Sequence, residues 1–448
     1  MDDSPIHAVA SPSPPSSPTL FAMNPRRPAV GDRVVWLGVF LLGLLPAASA
    51  GVGVMIAARD LGGARDVVWV AAAVGAVATL GALLAVTRVQ LRRRRSRLPR
   101  PPAVVDAEAF TVTAGTAATP VRLPFAELTI LQRTAAPPGL CVGTPGRAVV
   151  VVADADFVDD GVTIAIERAV RAGVLSSSGG SARLAELDRE AALASTIGRR
   201  ASAATHGLLG LLAACFAVEL FVGALDDGAW LLELGGNAPA LVRRGEWWRL
   251  VTAGFLHVNL THALMNATAL LSFGVTLERT IGAHRFLLVA VLAGVGGNVA
   301  SAFAGTHVFS VGASSSVWGL MGALIAVQWQ ARARLPDVLV VPARRWLMIL
   351  GLNVGISLLP GIDLLAHLGG FVVGAVVALL LARDLDVTAP QAPPRLLVAN
   401  VVAVAVVLGC FGHVAVRANA RGPAERRLDL ARAGLAVDGD SAVTNTAA

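Results

Sequence analysis

A serine and a histidine in two separate apolar segments have the chemistry needed to cleave an amide bond. The stretch "GASSSVWG" (312–319) contains three consecutive serines, and "AHLGGFVVG" (366–374) contains His367. A neighbouring histidine activates a serine by accepting its hydroxyl proton. The chain has no lysine and no HExxH motif, which excludes a Ser–Lys dyad and the commonest zinc-protease helix. Histidine is therefore the leading candidate for a side-chain base.

Two further polar residues have the spacing of an oxyanion-binding pair. His262 and Asn266 in "HALMN" are four residues apart, which puts them on one face of a helix. Together with the backbone N–H of Ser314, they would donate hydrogen bonds to an oxyanion. Trp318 follows Ser314 by four residues and shares its face, so its ring could lie against the imidazole of His367 and fix its orientation.

Each of these features also has a purely structural explanation. Small residues are common where membrane helices touch, so the serines of 312–319 alone favour packing over catalysis. Gly370 and Gly374 form a GxxxG arrangement, which indicates close helix packing and would also bring His367 near the serine helix. A single histidine can be a hydrogen-bonded core residue, although ionisable groups at this depth are functional candidates. Glu219 is another such group, and we assign it no partner.

The composition indicates that these residues lie in a membrane. The 448 residues are 55% hydrophobic and 15% charged, with a mean hydropathy of +0.67. Because lipid offers no hydrogen-bond partners, the apolar segments are expected to be helices, and we predict an all-α polytopic membrane protein. Roughly nine segments are long enough, the seventh being the shortest: 35–57, 67–87, 205–225, 253–275, 286–304, 312–330, 345–359, 362–382 and 396–416.

The net charge of +7 reflects membrane topology rather than a nucleic-acid partner. Basic residues cluster between the hydrophobic segments, above all in "RVQLRRRRSRLPR" (88–100), which is the positive-inside pattern. It places 88–204 and 331–344 in the cytoplasm. Nine crossings would put the C-terminus outside, and the five arginines of 417–448 argue mildly against that. Three widely spaced cysteines form no metal or disulfide pattern, and we expect no metal or cofactor.

Composition divides the chain into six parts: a disordered leader (1–30), a transmembrane helical hairpin (31–87), a small cytoplasmic α+β domain (101–175), a linker (176–204), a helix bundle (205–416) and a polar tail (417–448). The α+β domain has strand-like runs, broken by Pro and Gly turns, and ends in a helix with apolar residues on one face. The strand-like runs are 109–113, 121–131 and 147–157, and the helix is 161–174. This order is similar to a pleckstrin-homology-like module. A regulatory role, an oligomerising role and a spacer all stay open.

Several motifs of the bundle occur in register with one known family. The stretches "WWRLVTAGFLH", "HALMN", "GVTLE", "GASSSVWG" and "AHLGGFVVG" resemble, in this order, the rhomboid family of intramembrane serine proteases. The resemblance covers roughly 205–416. It implies a rhomboid-like bundle of six helices plus one, with a Ser–His dyad in a water-filled cavity that opens to the outside.

The resemblance also implies a role for individual residues. Ser314, preceded by Gly312, would be the nucleophile, and His367 the general base. His262, Asn266 and the N–H of Ser314 would bind the oxyanion. Trp248 and Arg249 match a tryptophan–arginine pair in the first external loop, and Glu278 matches a structural position. The family usually has Gly-Ala after its serine, whereas this chain has Ser315 and Ser316. Successive residues turn by about 100° around a helix, so only one serine can face His367, and the G-x-S register selects Ser314.

We therefore expect an enzyme that hydrolyses peptide bonds in or near transmembrane segments of other membrane proteins. Its partners would be transmembrane protein substrates and the lipid bilayer. The absence of lysine and tyrosine, with abundant Ala, Arg and Val, favours a high-GC bacterial source and hence a bacterial inner membrane. One alternative is an inactive rhomboid-like protein that binds membrane helices for quality control or trafficking. Another is a transporter in which His262, His367 and Glu219 line a proton path.

Overall fold

The computed structural model describes residues 18–22, 103–112, 120–135, 138–144, 148–154, 157, 159, 161–225, 228–390, 392–420, 435–438 and 442–445. The transmembrane hairpin expected at 31–87 lies outside these residues. The chain divides into two compact units. The first includes 69–196, and the second includes 197–335 and 343–448.

The first unit contains two antiparallel sheets. The first sheet has the order β1-β2-β3-β4 and the second the order β5-β6-β7. The strands are β1 (Thr19–Phe21), β2 (Ala103–Val105), β3 (Ala109–Val112), β4 (Val121–Pro124), β5 (Ile130–Ala135), β6 (Pro138–Thr144) and β7 (Ala148–Ala153). The run expected at 121–131 is thus divided between β4 and β5, because the 3₁₀ turn Phe125–Glu127 interrupts it.

A single helix, α1 (Val162–Ser176), packs on the core of this unit. Ile166, Val170 and Val174 have no exposed surface, and they lie on one face because they are four residues apart. Cys141 on β6 is also buried, which raises the pKa of its thiol to about 11 and makes it an unreactive core residue. The likeness to a pleckstrin-homology-like module stays a prediction.

Two of the expected segments contain regular structure that the sequence analysis did not predict. Within the leader expected at 1–30, Thr19–Phe21 forms a strand that pairs with Ala103–Val105. A segment of three residues is not stable as a strand by itself, and here the distant β2 provides its hydrogen-bond partners. Within the linker expected at 176–204, Gly180–Arg199 forms helix α2. The Ser/Gly stretch is short, and the residues after it are mostly Ala, Leu, Glu and Arg, which are strong helix formers.

The second unit is a helical bundle. Its helices are α3 (Ala203–Val222), α4 (Gly228–Glu233), α5 (Pro239–Val242), α6 (Arg249–Thr252), α7 (Leu260–Ala269), α8 (Val275–Ile281), α9 (Ala283–Ala304), α10 (Ser314–Gln330), α11 (Ala343–Ser357), α12 (Leu364–Leu381) and α13 (Pro394–Ala420). A π-helical turn, Leu270–Gly274, joins α7 to α8 into one span.

The described part of the chain contains 6 helices long and apolar enough to cross a membrane, and α10, with 17 residues, is slightly shorter. The prediction of a polytopic helical membrane protein with a small sheet region is therefore confirmed. The span predicted at 253–275 begins later, at Leu260, because the side chain of Asn259 caps the helix by accepting a hydrogen bond from the N–H of His262 at 2.8 Å.

Helices α9, α10 and α12 pack closely through small residues. A Cβ atom on Gly370 of α12 would overlap the carbonyl of Ser315 on α10. One turn further along both helices, a Cβ on Gly374 would lie 2.5 Å from the Cα of Gly319. The two helices are therefore parallel and nearly in backbone contact, as the GxxxG spacing predicts.

Arginines stabilise the end of the bundle at which α10 and α12 finish. Arg200 donates to the carbonyls of Arg279 at 2.8 Å and Val387 at 2.6 Å. Arg334 donates to the carbonyl of Leu385 at 2.7 Å. These side chains satisfy carbonyls in the last turn of α8 and in the segment that follows α12.

Helix α13 finishes at the opposite end of the bundle, beside the loop 226–252. Arg417 pairs with Glu246 at 2.9 Å and lies over the ring of Trp248, 4.9 Å from its centroid. The polar tail expected from 417 thus begins within a helix that continues to Ala420. The tail also contains a strand pair, β8 (Leu435–Asp438) with β9 (Ala442–Asn445).

Candidate active site

Ser314 is the first residue of α10 and is half-buried. The backbone reaches it through Gly312, whose φ of 133° is in a region that other residues rarely adopt. The N–H of Gly312 donates to the carbonyl of Ala253 at 2.9 Å. Because the first N–H groups of a helix have no intrahelical acceptor, the N–H of Ser314 is available to an oxyanion.

The next two serines of the run face α9. The hydroxyl of Ser316 donates to the carbonyl of Ala290 at 2.9 Å. Ser315 is 2% exposed and lies so close to Gly297 that a Cβ there would be 2.6 Å from the Cβ of Ser315. Both side chains therefore pack between helices, while Ser314 shares a face with Trp318.

His367 lies in the first turn of α12, one turn before the glycine that contacts α10. The indole of Trp318 stacks on its imidazole, with 5.2 Å between ring centroids. On another side, its Nδ1 is 2.7 Å from the hydroxyl oxygen of Ser357, which ends α11. The imidazole is thus held by one residue from α10 and one from α11.

The predicted oxyanion pair lies against Gly312. A Cβ on Gly312 would be 2.6 Å from Cε1 of His262, 2.8 Å from its Nε2 and 3.5 Å from Nδ2 of Asn266. Among the described residues, Nδ2 of Asn266 and Nδ1 of His262 are buried without a hydrogen-bond partner. Buried polar atoms are seldom left unpaired in a folded protein, so these groups are suited to a bound ligand.

A second layer of polar residues supports His262. The ring of His257 makes an edge contact with that of His262, at 5.1 Å between centroids. The N–H of His257 donates at 3.0 Å to Glu219, which has no exposed surface. The structure thus gives Glu219 the partner that the sequence did not reveal.

Trp248 and Arg249 organise the loop 226–252. Arg249 is 4% exposed and donates to the carbonyls of Leu232 and Gly236, the latter at 3.0 Å. It also pairs with Glu246 at 2.7 Å. Trp248 packs on His413 of α13, with 4.4 Å between ring centroids. These hydrogen bonds, the ion pair and the ring contact are with the loop and α13 rather than with Ser314 or His367.

Glu278 lies on α8 and caps α3. Its carboxylate accepts hydrogen bonds from the N–H groups of Ala204, at 3.0 Å, and Thr205, at 2.7 Å, and from the hydroxyl of Thr205, at 2.6 Å. A carboxylate at a helix N-terminus is favourable both for these bonds and for the helix dipole. Glu278 is therefore structural.

Sequence analysis missed Ser357, Asp363 and Ser301. Asp363 caps α12 by accepting from the N–H of Ala366 at 3.0 Å, and its other oxygen accepts from the hydroxyl of Ser301. An aspartate three residues before an alanine–histidine pair at a helix start could have been read as a cap. Ser357 carries no such signal, because its partner is on another helix.

Comparison with known proteins gives one family. The model of the Rhomboid domain matches residues 244–384. The chain is 34% identical over 155 residues to RHOMBOID-like protein 4 of Arabidopsis thaliana, covering 34% of this chain and 38% of that protein. It is 33% identical over 164 residues to Rhomboid protease GluP of Bacillus subtilis (strain 168), covering 36% and 31%. It is 31% identical over 160 residues to Rhomboid-like protease 1 of Toxoplasma gondii, covering 35% and 54%. The chain thus matches about a third to a half of these relatives' length.

Proposed function

We propose that this chain is an intramembrane serine protease, because its residues 244–384 match the model of the Rhomboid domain. Two of the relatives above are named as proteases. In the proposal, Ser314 is the nucleophile and His367 the general base, and the substrates are transmembrane segments of other membrane proteins.

The reaction proceeds through an acyl-enzyme. His367 accepts the proton of the Ser314 hydroxyl as Oγ attacks the scissile carbonyl carbon. The resulting oxyanion accepts hydrogen bonds from the N–H of Ser314 and from the side chains of His262 and Asn266. The carbon–nitrogen bond then breaks, and His367 returns the proton to the leaving amine. A water molecule, deprotonated by the same imidazole, hydrolyses the ester and regenerates Ser314.

The observation that carries this proposal is the convergence on the first turn of α10. Gly312, two residues before Ser314, contacts both His262 and Asn266. Trp318, one turn after Ser314 on the same face, stacks on His367. Packing alone explains Ser315 and Ser316, but it gives no reason for the unpaired Nδ2 of Asn266 beside Gly312.

The position of Ser314 supports one class of substrate in this proposal. Ser314 begins its helix, so the reaction occurs near one membrane face, where water enters beside the loop 226–252. A backbone carbonyl in an intact helix is hydrogen-bonded, so the substrate helix has to unwind locally. Substrates with Gly, Ser or Pro near that end would unwind most easily, because these residues form weaker helices than alanine or leucine.

Labelling with a fluorophosphonate tests the nucleophile directly, since this probe phosphonylates an activated serine. We expect the wild type and Ser315→Ala to be labelled in membranes, and Ser314→Ala and His367→Ala to stay unlabelled. A wild-type protein that is not labelled but still binds transmembrane helices would favour the inactive, helix-binding alternative.

The multi-pass membrane location follows from the apolar helices. A bacterial inner membrane stays a prediction, because the relatives come from plants, a parasite and a bacterium.

A further inference from the structure

Ser357 makes the hydrogen bond that holds the imidazole of His367 from the side of α11. The two atoms, Oγ of Ser357 and Nδ1 of His367, are 2.7 Å apart. Ser357 is 2% exposed and His367 is 7% exposed, so water does not compete strongly for this bond. Neither the motifs of the sequence nor the roles implied by the rhomboid resemblance include Ser357.

The position of Ser357 is unusual for its helix. Within α11, only Trp346 and Ser357 are buried, whereas Leu347 and Met348 are 70% and 65% exposed. Trp346 donates to the side chain of Gln328 on α10 at 3.2 Å. Helix α11 therefore has one buried polar contact near each end, and the one at the site end is with His367.

The protons available to Ser357 define the direction of this bond. Its Oγ lies 2.8 Å from the carbonyl of Asn353, to which it donates. A serine hydroxyl has one proton. When Ser357 donates this proton to the carbonyl of Asn353, its oxygen can only accept a hydrogen bond from Nδ1–H of His367. The proton of a neutral imidazole is then on Nδ1, and Nε2 has the free lone pair. This is the tautomer that a base needs if Nε2 faces the nucleophile.

Among the described residues, the hydrogen-bond partner of Nδ1 is this hydroxyl and not a carboxylate. Asp363 is the nearest carboxylate along α12, and its two oxygens accept from the N–H of Ala366 and the hydroxyl of Ser301. Trp318 stacks on the imidazole with 16° between the ring planes. Stacking fixes the plane of the ring but allows rotation within that plane. A hydrogen bond to Nδ1 removes this freedom.

We propose that Ser357 is the positioning residue of the catalytic base, fixing the tautomer and in-plane orientation of His367 from α11. The inference rests on the proposed function, because it takes His367 as the base. A further consequence is that the imidazole of His367 keeps this orientation only while the end of α11 that carries Ser357 lies against α12.

The kinetic test compares Ser357→Ala with Ser272→Ala in the full chain, reconstituted in proteoliposomes with a single-span substrate. Ser272 is exposed, and its hydroxyl also donates to a carbonyl four residues earlier, that of Thr268, at 2.9 Å. This hydrogen bond does not involve a histidine. We expect Ser357→Ala to lower kcat about tenfold with KM nearly unchanged, the usual effect of one lost hydrogen bond. Ser272→Ala should match the wild type. Equal kcat values for both variants would overturn the inference.

A second measurement does not depend on the folding of the alanine variant. In wild-type protein with ¹⁵N-labelled histidine, the signals of His367 are assigned by their loss in His367→Gln. We expect ¹⁵N shifts of the Nδ1–H tautomer, and those of the Nε2–H tautomer would overturn the inference. If the wild type cleaves and Ser357→Ala cleaves equally well, this inference alone fails. If the wild type cleaves nothing and binds no serine probe, the proposed function fails.

Discussion

The indole of Trp318 lies parallel to the imidazole of His367, with 16° between the ring planes and 5.2 Å between their centroids. Both side chains are buried, and they come from α10 and α12, two helices that pack closely through glycine. The stacking therefore depends on the parallel packing of α10 and α12, which brings the indole of one helix against the imidazole of the other.

Replacing Trp318 by leucine should reduce catalysis without removing it. Ring stacking contributes about 0.5–1.5 kcal/mol, so we expect kcat to fall by roughly 2- to 12-fold. Trp329, on the same helix but 77% exposed, provides the control, and Trp329→Leu should leave kcat unchanged. Initial rates at saturating substrate in proteoliposomes measure both variants. Equal rates for the two variants would contradict a role of the stacked ring.

Gly370→Ala should destabilise the bundle, because the added Cβ would overlap the carbonyl of Ser315. Overpacking of this kind costs roughly 1–3 kcal/mol, so the thermal midpoint in detergent should fall by several degrees. Gly409 on α13 has nothing within 4 Å of an added Cβ. Gly409→Ala should therefore leave the midpoint unchanged or raise it slightly, since alanine favours helix. Equal thermal midpoints for the two variants would contradict the close packing of α10 and α12.

Asn266→Ala should lower kcat by about 10²–10³ with little change in KM, because an oxyanion donor acts mainly in the transition state. Thr268, on the same helix, is exposed and donates only to the carbonyl of Leu264, at 2.8 Å. Thr268→Val is therefore the matched control and should retain wild-type rates. A rise in KM with unchanged kcat would instead mean that Asn266 binds the substrate in its ground state.

The end of α13 should lie on the same side of the membrane as the loop 226–252, because Arg417 pairs with Glu246. In a cysteine-free background, an impermeant maleimide added to intact cells should label Ala420→Cys and Arg244→Cys together. Arg332→Cys, at the opposite end of α10, should be labelled only after lysis. Labelling of Arg332→Cys together with Ala420→Cys would contradict this topology and favour the charge argument from the five tail arginines.

The site residues were accessible to sequence analysis where spacing within one helix carries the signal. His262 and Asn266, four residues apart, both lie against Gly312 in the structure. Trp318 was expected to lie against His367 because it shares a face with Ser314, and it does. The shared faces of these residue pairs follow from 3.6 residues per turn, whereas the contact of Trp318 with His367 also required the expectation that Ser314 faces His367.

Relationships between distant segments were not accessible in the same way. Ser357 is an ordinary helical serine until α11 and α12 are placed side by side. Strand β1 is separated by about eighty residues from β2, and its sequence is too short to predict a strand. Helix α2 was not predicted because the stretch "SSSGGS" at its start is typical of a linker. That composition is limited to these six residues and does not extend along the helix.

The assignment of the nucleophile is tested by cleavage of a single-span substrate in proteoliposomes, with wild type, Ser314→Ala, Ser315→Ala and His367→Ala compared. We expect cleavage by the wild type and by Ser315→Ala, because the side chain of Ser315 packs against α9. We expect no cleavage by Ser314→Ala or His367→Ala. Activity that survives in Ser314→Ala, or a wild type that cleaves nothing, would contradict the assignment of Ser314 as the nucleophile of a Ser–His protease.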